Sequence, residues 1–285
     1  MTHPGIATVA LVLMILFVGC SSAPIDSTPQ KTQIVATFYP LYSITRMIAG
    51  DVASVHSLVP NGVEPHDYDP TPGDIQRLSR AKAFVTHGLE FATTEQRLID
   101  GVGRQIPRIY ANANVPLLPA DPQYPAQGQD SHTWLSPKAM IIIAGNIRTG
   151  LIELDPANAH IYATNAANVI ADLKMLDSDF STSLTSCTKH VVVTNHQAFG
   201  YLAHDYGFEQ VALEGLQPDA EVSPQVIVQV HKTIKDNNLK YVLYEELSDP
   251  RTMETIGQDV GATALKLSPL EGSSNPDDTY FDIMR

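Results

Sequence analysis

The sequence predicts an α/β protein with two pseudo-symmetric lobes, each containing a mainly parallel sheet, joined by one long rigid helix. β-Rich runs alternate with helical patterns before residue 155 and again after residue 184, which is typical of parallel sheets with helices on both faces. The segment between them, residues 155–184, is alanine-rich and contains neither Gly nor Pro after Pro156. As one helix it would be about 40 Å long, which is too long for a connection inside one compact lobe.

The composition limits the classes of protein and partner. A chain of 285 residues is long enough for two lobes, since domains commonly contain roughly 100–150 residues. Hydrophobic residues make up 44% and charged residues 17%, which indicates a folded globular protein. The net charge of −13 argues against nucleic acid or an anionic lipid surface as a partner and is compatible with a cationic ligand.

The first 20 residues have the pattern of a signal peptide. The run from Gly5 to Cys20 contains no charged side chain, and its apolar part is shorter than the roughly 20 residues that span a bilayer. Small residues before Cys20 resemble a lipoprotein processing site, although Phe17 stands where leucine is usual and MTHPG lacks Lys and Arg. We expect residues 1–20 to be a signal peptide with Cys20 lipidated and residues 21–32 to be a tether. The alternative is an uncleaved short anchor, and either arrangement exports the domain to the outer face of the cytoplasmic membrane or the periplasm.

Residues 33–154 are predicted to form the first lobe. Its predicted strands are QIVATF (33–38), SVHSLVP (54–60) and AFVTH (83–87). Thr71 and Asp74 have the spacing of a capping-box variant and predict a helix start after the second strand, and Ser136 followed by proline predicts another.

Residues 185–285 are predicted to form the second lobe on the same plan. Its predicted strands are HVVVT (190–194), VALEG (211–215), KYVLYEE (240–246) and ATALKLS (262–268). Ser223 and Asp249, each followed by proline, predict helix starts between these strands. No sequence repeat is visible, so the predicted symmetry is one of architecture alone.

Three histidines lie in three separate loops, two of them at predicted strand ends on opposite sides of the long helix. His66 and His196 each follow a predicted strand, and His132 precedes the helix that starts at Ser136. In open parallel sheets, ligands gather in the crevice beyond the carboxyl ends of the strands. Neutral imidazoles are good donors for borderline-soft divalent cations, so we predict a metal site in which a carboxylate is the fourth ligand. His87 ends the third predicted strand and could line the same crevice.

The residues alone leave the fourth ligand open. Glu271 follows the last predicted strand and competes with five other carboxylates, which are Glu64, Asp67, Glu214, Glu221 and Glu245. Glu221 is equally well explained as an anion at a helix start. Asp67 or Asp130 could instead hold a ligand imidazole through its second N–H group.

Six segments occur in an order that one protein family shares, namely VATFYPLYSITRMIAGD, GVEPHDYDPTPGDIQRLSRA, SHTWLSP, the helix beginning at Asp155, TNHQAFGYLAHDYGF and LSPLEG. On these segments the chain resembles the substrate-binding lipoproteins of zinc and manganese ABC importers, the ZnuA-like or TroA-like family, over roughly residues 33–285. The resemblance implies one metal held between two lobes by His66, His132 and His196. Glu271 is the acidic residue available for the fourth position, because Ser268, where some members have aspartate, provides no carboxylate.

The same resemblance implies a carrier and not an enzyme. Members capture Zn²⁺ outside the membrane and deliver it to an ABC permease, here as a monomer attached to the membrane through lipid on Cys20. Manganese-type members usually have a carboxylate at the position of His196, which favours zinc and leaves a manganese or iron carrier as the alternative within the family. A zinc-dependent hydrolase is the alternative from another class. It would need an open coordination position and a general base, and neither a His-Glu-x-x-His nor a Gly-x-Ser-x-Gly motif occurs in the sequence.

Two departures from the family pattern carry expectations of their own. Residues 111–131 contain no histidine, so no auxiliary metal-capturing loop is expected. The chain ends in DTYFDIMR, where the family continues into a longer final helix, and this could either leave part of the second lobe uncovered or indicate a truncated open reading frame.

Overall fold

The computed structural model describes Met1 and residues 31–119, 129–216, 222–273, 275 and 277–285. Apart from Met1, the predicted signal peptide with Cys20 lies outside the described residues, as do the tether up to Gln30 and the candidate ligand Glu221. Residues Lys31–Arg285 form one compact unit. Among the described helices, none combines the length and the apolar character that crossing a bilayer requires.

The first half of this unit contains a four-stranded parallel sheet with the strand order β2-β1-β3-β4. The strands are β1 (Thr32–Ala36), β2 (Ala53–Ser57), β3 (Ala83–Thr86) and β4 (Arg108–Tyr110). The three predicted strands are confirmed. β4 was not predicted, because its three residues contain a single buried side chain, Ile109, and are too few to show a periodic pattern.

The second half contains a parallel sheet with the equivalent order, β6-β5-β7-β8. The strands are β5 (Val191–Thr194), β6 (Glu209–Ala212), β7 (Tyr241–Glu245) and β8 (Thr263–Leu267). In each sheet the strand that comes first in the chain lies second in the order, so the two halves repeat one architecture. The predicted two-lobed parallel α/β class is confirmed.

Helices connect the strands and cover the sheets. They are α1 (Tyr39–Ala49), α2 (Pro72–Arg80), α3 (Ala92–Val102), α4 (Pro137–Leu154), α5 (Ala159–Thr185), α6 (Gly200–Tyr206), α7 (Pro224–Asp236), α8 (Arg251–Val260) and α9 (Tyr280–Met284). The predicted capping box begins α2, because the Thr71 hydroxyl accepts from Asp74 N and the Asp74 carboxylate accepts from Thr71 N. At the start of α4, the Ser136 hydroxyl accepts from Ala139 N at 3.1 Å.

The long helix α5 is more deeply embedded than a free-standing strut. It begins at Ala159, after a short 3₁₀ turn, and its buried side chains recur every three or four residues at Tyr162, Ala166, Val169, Leu173 and Leu176. All five belong to the hydrophobic core that includes α1, α4 and the first sheet. Most of the linking helix is therefore part of the first lobe.

The second sheet packs against a separate core, and the chain end returns to the first one. Val193, Val242 and Met253 are among the buried residues between the second sheet and the helices α7 and α8. In α9, by contrast, Tyr280 and Phe281 pack in the core of the first sheet. The segment after β8 therefore crosses from the second lobe to the first, and this crossing positions one of the candidate ligands.

Candidate metal centre

Four side chains from separate loops of the two lobes converge at one point. His66 lies between β2 and α2, His132 immediately before the 3₁₀ turn Thr133–Leu135 that leads into α4, His196 just after β5, and Glu271 after β8. Each offers one ligand atom, and these atoms all lie within 4.8 Å of one another. His132 and His196 are fully buried, Glu271 is 2% exposed, and His66 is part-buried.

The distances between the ligand atoms are those of a small coordination sphere. Nε2 of His66 lies 3.3 Å from Oε1 of Glu271, and Nε2 of His132 lies 3.8 Å from the same oxygen. Nε2 of His132 and Nε2 of His196 are 3.0 Å apart. With metal–ligand distances of about 2.0–2.2 Å, neighbouring ligands of a tetrahedral zinc ion are separated by about 3.3 Å. These three separations are close to that value, and all four atoms lie within 4.8 Å of one another, so they could surround one ion after the wider pairs draw together.

Two buried carboxylates hold two of the imidazoles from behind. The Nδ1–H group of His132 donates to Oδ1 of Asp130 at 2.8 Å, and the Nδ1–H group of His196 donates to Oε2 of Glu245 at 2.8 Å. Burial alone lowers the pKa of His196, but the charge of Glu245 and its hydrogen bond outweigh burial, so the pKa lies above its ordinary value. Such carboxylate partners fix the ring orientation and raise the basicity of a histidine ligand.

The carboxylates also determine which ring nitrogens face each other. An ionised carboxylate accepts hydrogen bonds and donates none, so the proton of each neutral ring is assigned to Nδ1 and each Nε2 atom carries a lone pair. The lone pairs of His132 and His196 then point at each other across 3.0 Å. They repel unless a proton or a cation lies between them, so this geometry is suited to a cation.

Glu271 adds a negative charge to the same point. Its Oε2 atom is buried and has no hydrogen-bond partner among the described residues, although buried carboxylate oxygens normally have one. Burial raises the pKa of Glu271, but the hydrogen bond from His66 and the charges of the histidines outweigh this effect, and the pKa lies below its ordinary value. Three imidazole nitrogens and one carboxylate are a donor set that Zn²⁺ accepts.

A family model described as zinc-uptake complex component A, periplasmic (ZnuA), matches residues 34–285. This chain belongs to the ZnuA family. It is 33% identical over 281 residues to the zinc-binding protein AdcA of Streptococcus pyogenes, with 90% of this chain and 54% of AdcA covered. It is 32% identical over 276 residues to the high-affinity zinc uptake system protein ZnuA of Bacillus subtilis, with 91% of this chain and 86% of that protein covered.

The fold of this ZnuA-family chain is also similar to a solved structure of the laminin-binding adhesin Lmb from Streptococcus agalactiae. The TM-score is 0.81 at 26% identity, and the match covers 89% of this chain and 95% of Lmb. The match to AdcA covers 54% of that protein, so the chain spans about half of the length of this relative. A solved structure of a zinc-bound ZnuA deletion mutant matches with a TM-score of 0.80 at 27% identity and covers 89% of this chain and 94% of that one. The two-lobed fold with its long helix is therefore that of the ZnuA family.

In this ZnuA-family chain, local contacts hold the loop that carries His66. Glu64 Oε1 accepts from His66 N at 3.1 Å, and the His66 ring lies against Phe91, with ring centroids 5.9 Å apart. Two residues further along, the Tyr68 hydroxyl donates to Asp74 in the α2 capping box at 2.6 Å. The loop is thus attached to the start of a helix, which limits the directions in which His66 can point.

The other carboxylates that competed for the fourth position have different surroundings. Glu64, Asp67 and Glu214 line a cavity of about 240 Å³ beside the site, together with Asp249. Burial and the nearby charge of Glu271 raise the pKa of Glu64 to about 7. Within the described part of the chain, Glu271 is the carboxylate that groups with the three histidines.

Two other residues that the sequence singled out, Asp130 and His87, lie next to the site but are not among the four candidate ligands. Asp130 holds the His132 imidazole, which was one of the two possibilities considered. His87 is buried, its ring packs edge-on against Phe91 and Trp134, and its Nδ1 atom is 3.1 Å from the Gly88 carbonyl oxygen. His87 is not a member of the four-residue group.

Sequence reasoning missed two features of the site. Glu245 was considered only as a direct ligand, and the structure instead places it behind His196. Its position at the end of β7 was the available signal, because strand ends line the crevice, but that position does not distinguish a ligand from a residue that orients one. The second feature is the contact between Trp134 and Pro269, which no sequence pattern indicates.

Proposed function

We propose that this chain captures Zn²⁺ outside the membrane and delivers it to an ABC permease. The proposed ligands are Nε2 of His66, His132 and His196 and a carboxylate oxygen of Glu271. The observation that supports this most directly is the 3.0 Å separation of the two Nε2 atoms of His132 and His196, whose Nδ1 atoms already have carboxylate partners. The proposal agrees with family membership and with the names of the curated relatives, which describe zinc binding and zinc uptake.

The donor set favours zinc over manganese. Imidazole nitrogen suits Zn²⁺, whereas Mn²⁺ prefers carboxylate, carbonyl and water oxygens. Three nitrogens and one carboxylate therefore match zinc better, and a manganese or iron carrier remains the second candidate within the family. Affinity alone does not exclude it, because a nitrogen-rich site binds several divalent metals in the usual order of stability.

A carrier explains the closed site better than a hydrolase does. Catalytic zinc keeps one position for water or substrate, whereas a site made only to hold zinc uses four protein ligands. Here four protein atoms converge, and three of the four residues are buried. The lipid on Cys20, the monomeric state and the permease partner are part of the same proposal. The resemblance of residues before Cys20 to a lipoprotein processing site supports the lipid, and membership of the family supports the permease partner.

Metal binding to the purified exported domain tests the proposal. Competition with a chelator of known affinity should show one zinc per chain and weaker binding of manganese. Zinc should also raise the melting temperature, because an ion that binds only the folded state stabilises it. Absence of zinc binding, or turnover of esters or peptides by the zinc-loaded protein, would contradict the carrier assignment.

A further inference from the structure

Glu271 follows the last strand of the second sheet, but its loop is attached to the first lobe. The indole Nε1–H group of Trp134 donates to the carbonyl oxygen of Pro269 at 2.7 Å. Trp134 is fully buried and lies two residues after His132, and Pro269 lies two residues before Glu271. One hydrogen bond therefore joins the loops that carry these two candidate ligands.

Leu270, between Pro269 and Glu271, strengthens this attachment. Its side chain is 1% exposed and belongs to the core of the first sheet. Its backbone has a φ of 58°, in the left-handed region that a leucine rarely adopts. Such a conformation persists only where surrounding contacts over-determine it, and here those contacts are the buried side chain and the neighbouring carbonyl held by Trp134.

The chain after Glu271 returns to the same tryptophan. The Tyr280 hydroxyl donates to the carbonyl oxygen of Trp134 at 2.7 Å, and Tyr280 N donates to the Ser43 hydroxyl in α1 at 2.9 Å. Tyr280 is fully buried in the first core. Both flanks of the Glu271 loop are therefore connected to Trp134 and to the first lobe.

The loop of His196 is held differently. The His196 carbonyl oxygen accepts from the Thr194 hydroxyl at 2.7 Å and from Gln210 Nε2 at 3.0 Å, and its ring is held by Glu245. Thr194, Gln210 and Glu245 belong to strands of the second sheet. The ring and the carbonyl group of His196 are thus held by the second sheet, whereas Ala198 and Phe199, further along the same loop, pack in the same core as Leu270.

We propose that Trp134 is a positioning residue for Glu271, which follows a strand of the second sheet but is held next to His66 and His132 through the first lobe. The inference rests on the proposed zinc function. Its physical basis is that the indole hydrogen bond and the burial of Leu270 place the Glu271 carboxylate next to His66 and His132. Partners that orient a metal ligand typically contribute about 10–100-fold to metal affinity, and Trp134 would contribute through Glu271.

A double-mutant cycle tests this assignment. Trp134→Phe keeps a buried aromatic ring but removes the indole donor, and zinc affinity is measured by chelator competition in the wild-type and Glu271→Ala backgrounds. We expect a loss of about tenfold in the wild-type background and little further loss when Glu271 is already absent, since two groups that act through one contact are not additive. Equal losses in both backgrounds, or no loss in the wild type, would overturn the inference.

Tyr162→Phe provides a matched control. It also removes a hydrogen bond of a fully buried aromatic side chain, from the Tyr162 hydroxyl to Asp155 Oδ2 at 2.9 Å, but on α5 away from the four candidate ligands. It should lower the melting temperature and leave zinc affinity unchanged. A loss of zinc affinity equal to that of Trp134→Phe would mean that general destabilisation explains both, and the inference would be wrong.

The wild-type protein offers a second measurement if Trp134→Phe does not fold. Trp134 is the only tryptophan in the chain, so a ¹⁵N-labelled sample gives a single indole N–H signal. We expect that proton to be protected from solvent exchange with and without zinc, and fast exchange in both states would contradict the hydrogen bond. If the wild type takes up no zinc, the proposed function fails together with this inference; if it binds zinc but Trp134 has no effect, only this inference fails.

Discussion

The Nε2 atoms of His132 and His196 lie 3.0 Å apart, although the two residues are 64 positions apart in the chain and belong to different lobes. Each ring is held by a buried carboxylate at its other nitrogen. The two lobes thus bring two electron pairs to one point, and a cation placed there is attracted by both. The predictions below test how this point is built.

Replacing His196 by alanine should lower zinc affinity by more than about 100-fold, because removal of a ligand should exceed the loss of a partner that merely orients one. His204→Ala is the matched control, since His204 is an exposed histidine on the adjacent helix α6. Calorimetric titration with a competing chelator provides the measurement. Unchanged zinc affinity of His196→Ala would show that this residue is not a ligand.

Replacing Glu271 by alanine should lower zinc affinity by about 100-fold, because the loss leaves three nitrogens and an open position. Glu64→Gln should have a much smaller effect, since the Glu64 carboxylate accepts from the backbone of His66 and is not a member of the ligand group. The same chelator competition distinguishes the two variants. The reverse order of effects would identify Glu64 as the fourth ligand.

Gly200→Ala should weaken zinc binding although residue 200 contacts no metal. A Cβ atom at this first residue of α6 would clash with the Asp130 carboxylate, which orients His132. Displacement of Asp130 should lower zinc affinity about tenfold, which is the effect expected when a group that orients a metal ligand is lost. Gly145→Ala in α4 is the control, because a Cβ atom there meets nothing within 4 Å, and zinc affinity should stay the same. A Gly200→Ala protein with the zinc affinity of the wild type would indicate that the position of Asp130 does not affect zinc binding.

The stability of the first lobe should depend on pH through Asp74. Burial raises the pKa of Asp74, but hydrogen bonds from Tyr68 and Thr71 outweigh it and hold the pKa below its ordinary value of 3.8. A depressed pKa in the folded state means that the stabilisation is complete above the ordinary pKa and is lost as the pH falls through the folded-state pKa.

Asp74→Asn therefore should reduce the free energy of unfolding by about 2 kcal/mol at neutral pH, in the range for hydrogen bonds to a charged group. The difference from the wild type should shrink below the ordinary pKa of 3.8. Urea unfolding at several pH values measures it, and Asp51→Asn, at an exposed carboxylate, is the control. A difference that stays constant down to acid pH would contradict the assigned role of the Asp74 charge.

The positions of His66 and His196 could be predicted because each lies at a strand-to-helix corner of a parallel sheet, whereas His132 follows no predicted strand. His66 and His196 follow β2 and β5, which belong to different sheets, so the rule places each at the edge of its own sheet. Their ring centroids lie 5.6 Å apart, as the resemblance to a family with one metal between two lobes implied. The orienting role of Glu245 could not be predicted. A carboxylate at a strand end is within reach of a metal and of a histidine alike, and only the side-chain geometry decides.

The length of α5 could be predicted from the sequence, but the extent to which α5 is buried in the first lobe could not. The spacing of Tyr162, Ala166, Val169, Leu173 and Leu176 places them on one face, and the sequence does not tell which partner that face meets. The contact between Trp134 and Pro269 joins residues 135 positions apart. It depends on the path of the last segment back to the first lobe, which local propensity does not encode.

The cavity beside His66 has a consequence for the rate of metal capture. Asp67, Glu214 and Asp249 line it together with Glu64, whose pKa of about 7 leaves it only partly charged at neutral pH. An approaching divalent cation therefore meets a negative potential before it reaches the histidines. Mobile ions screen such a field over about 10 Å at 0.1 M ionic strength, and added salt should therefore slow association. Dissociation begins from the buried ligands and should respond far less, so the salt dependence of the affinity should reside almost entirely in the on-rate.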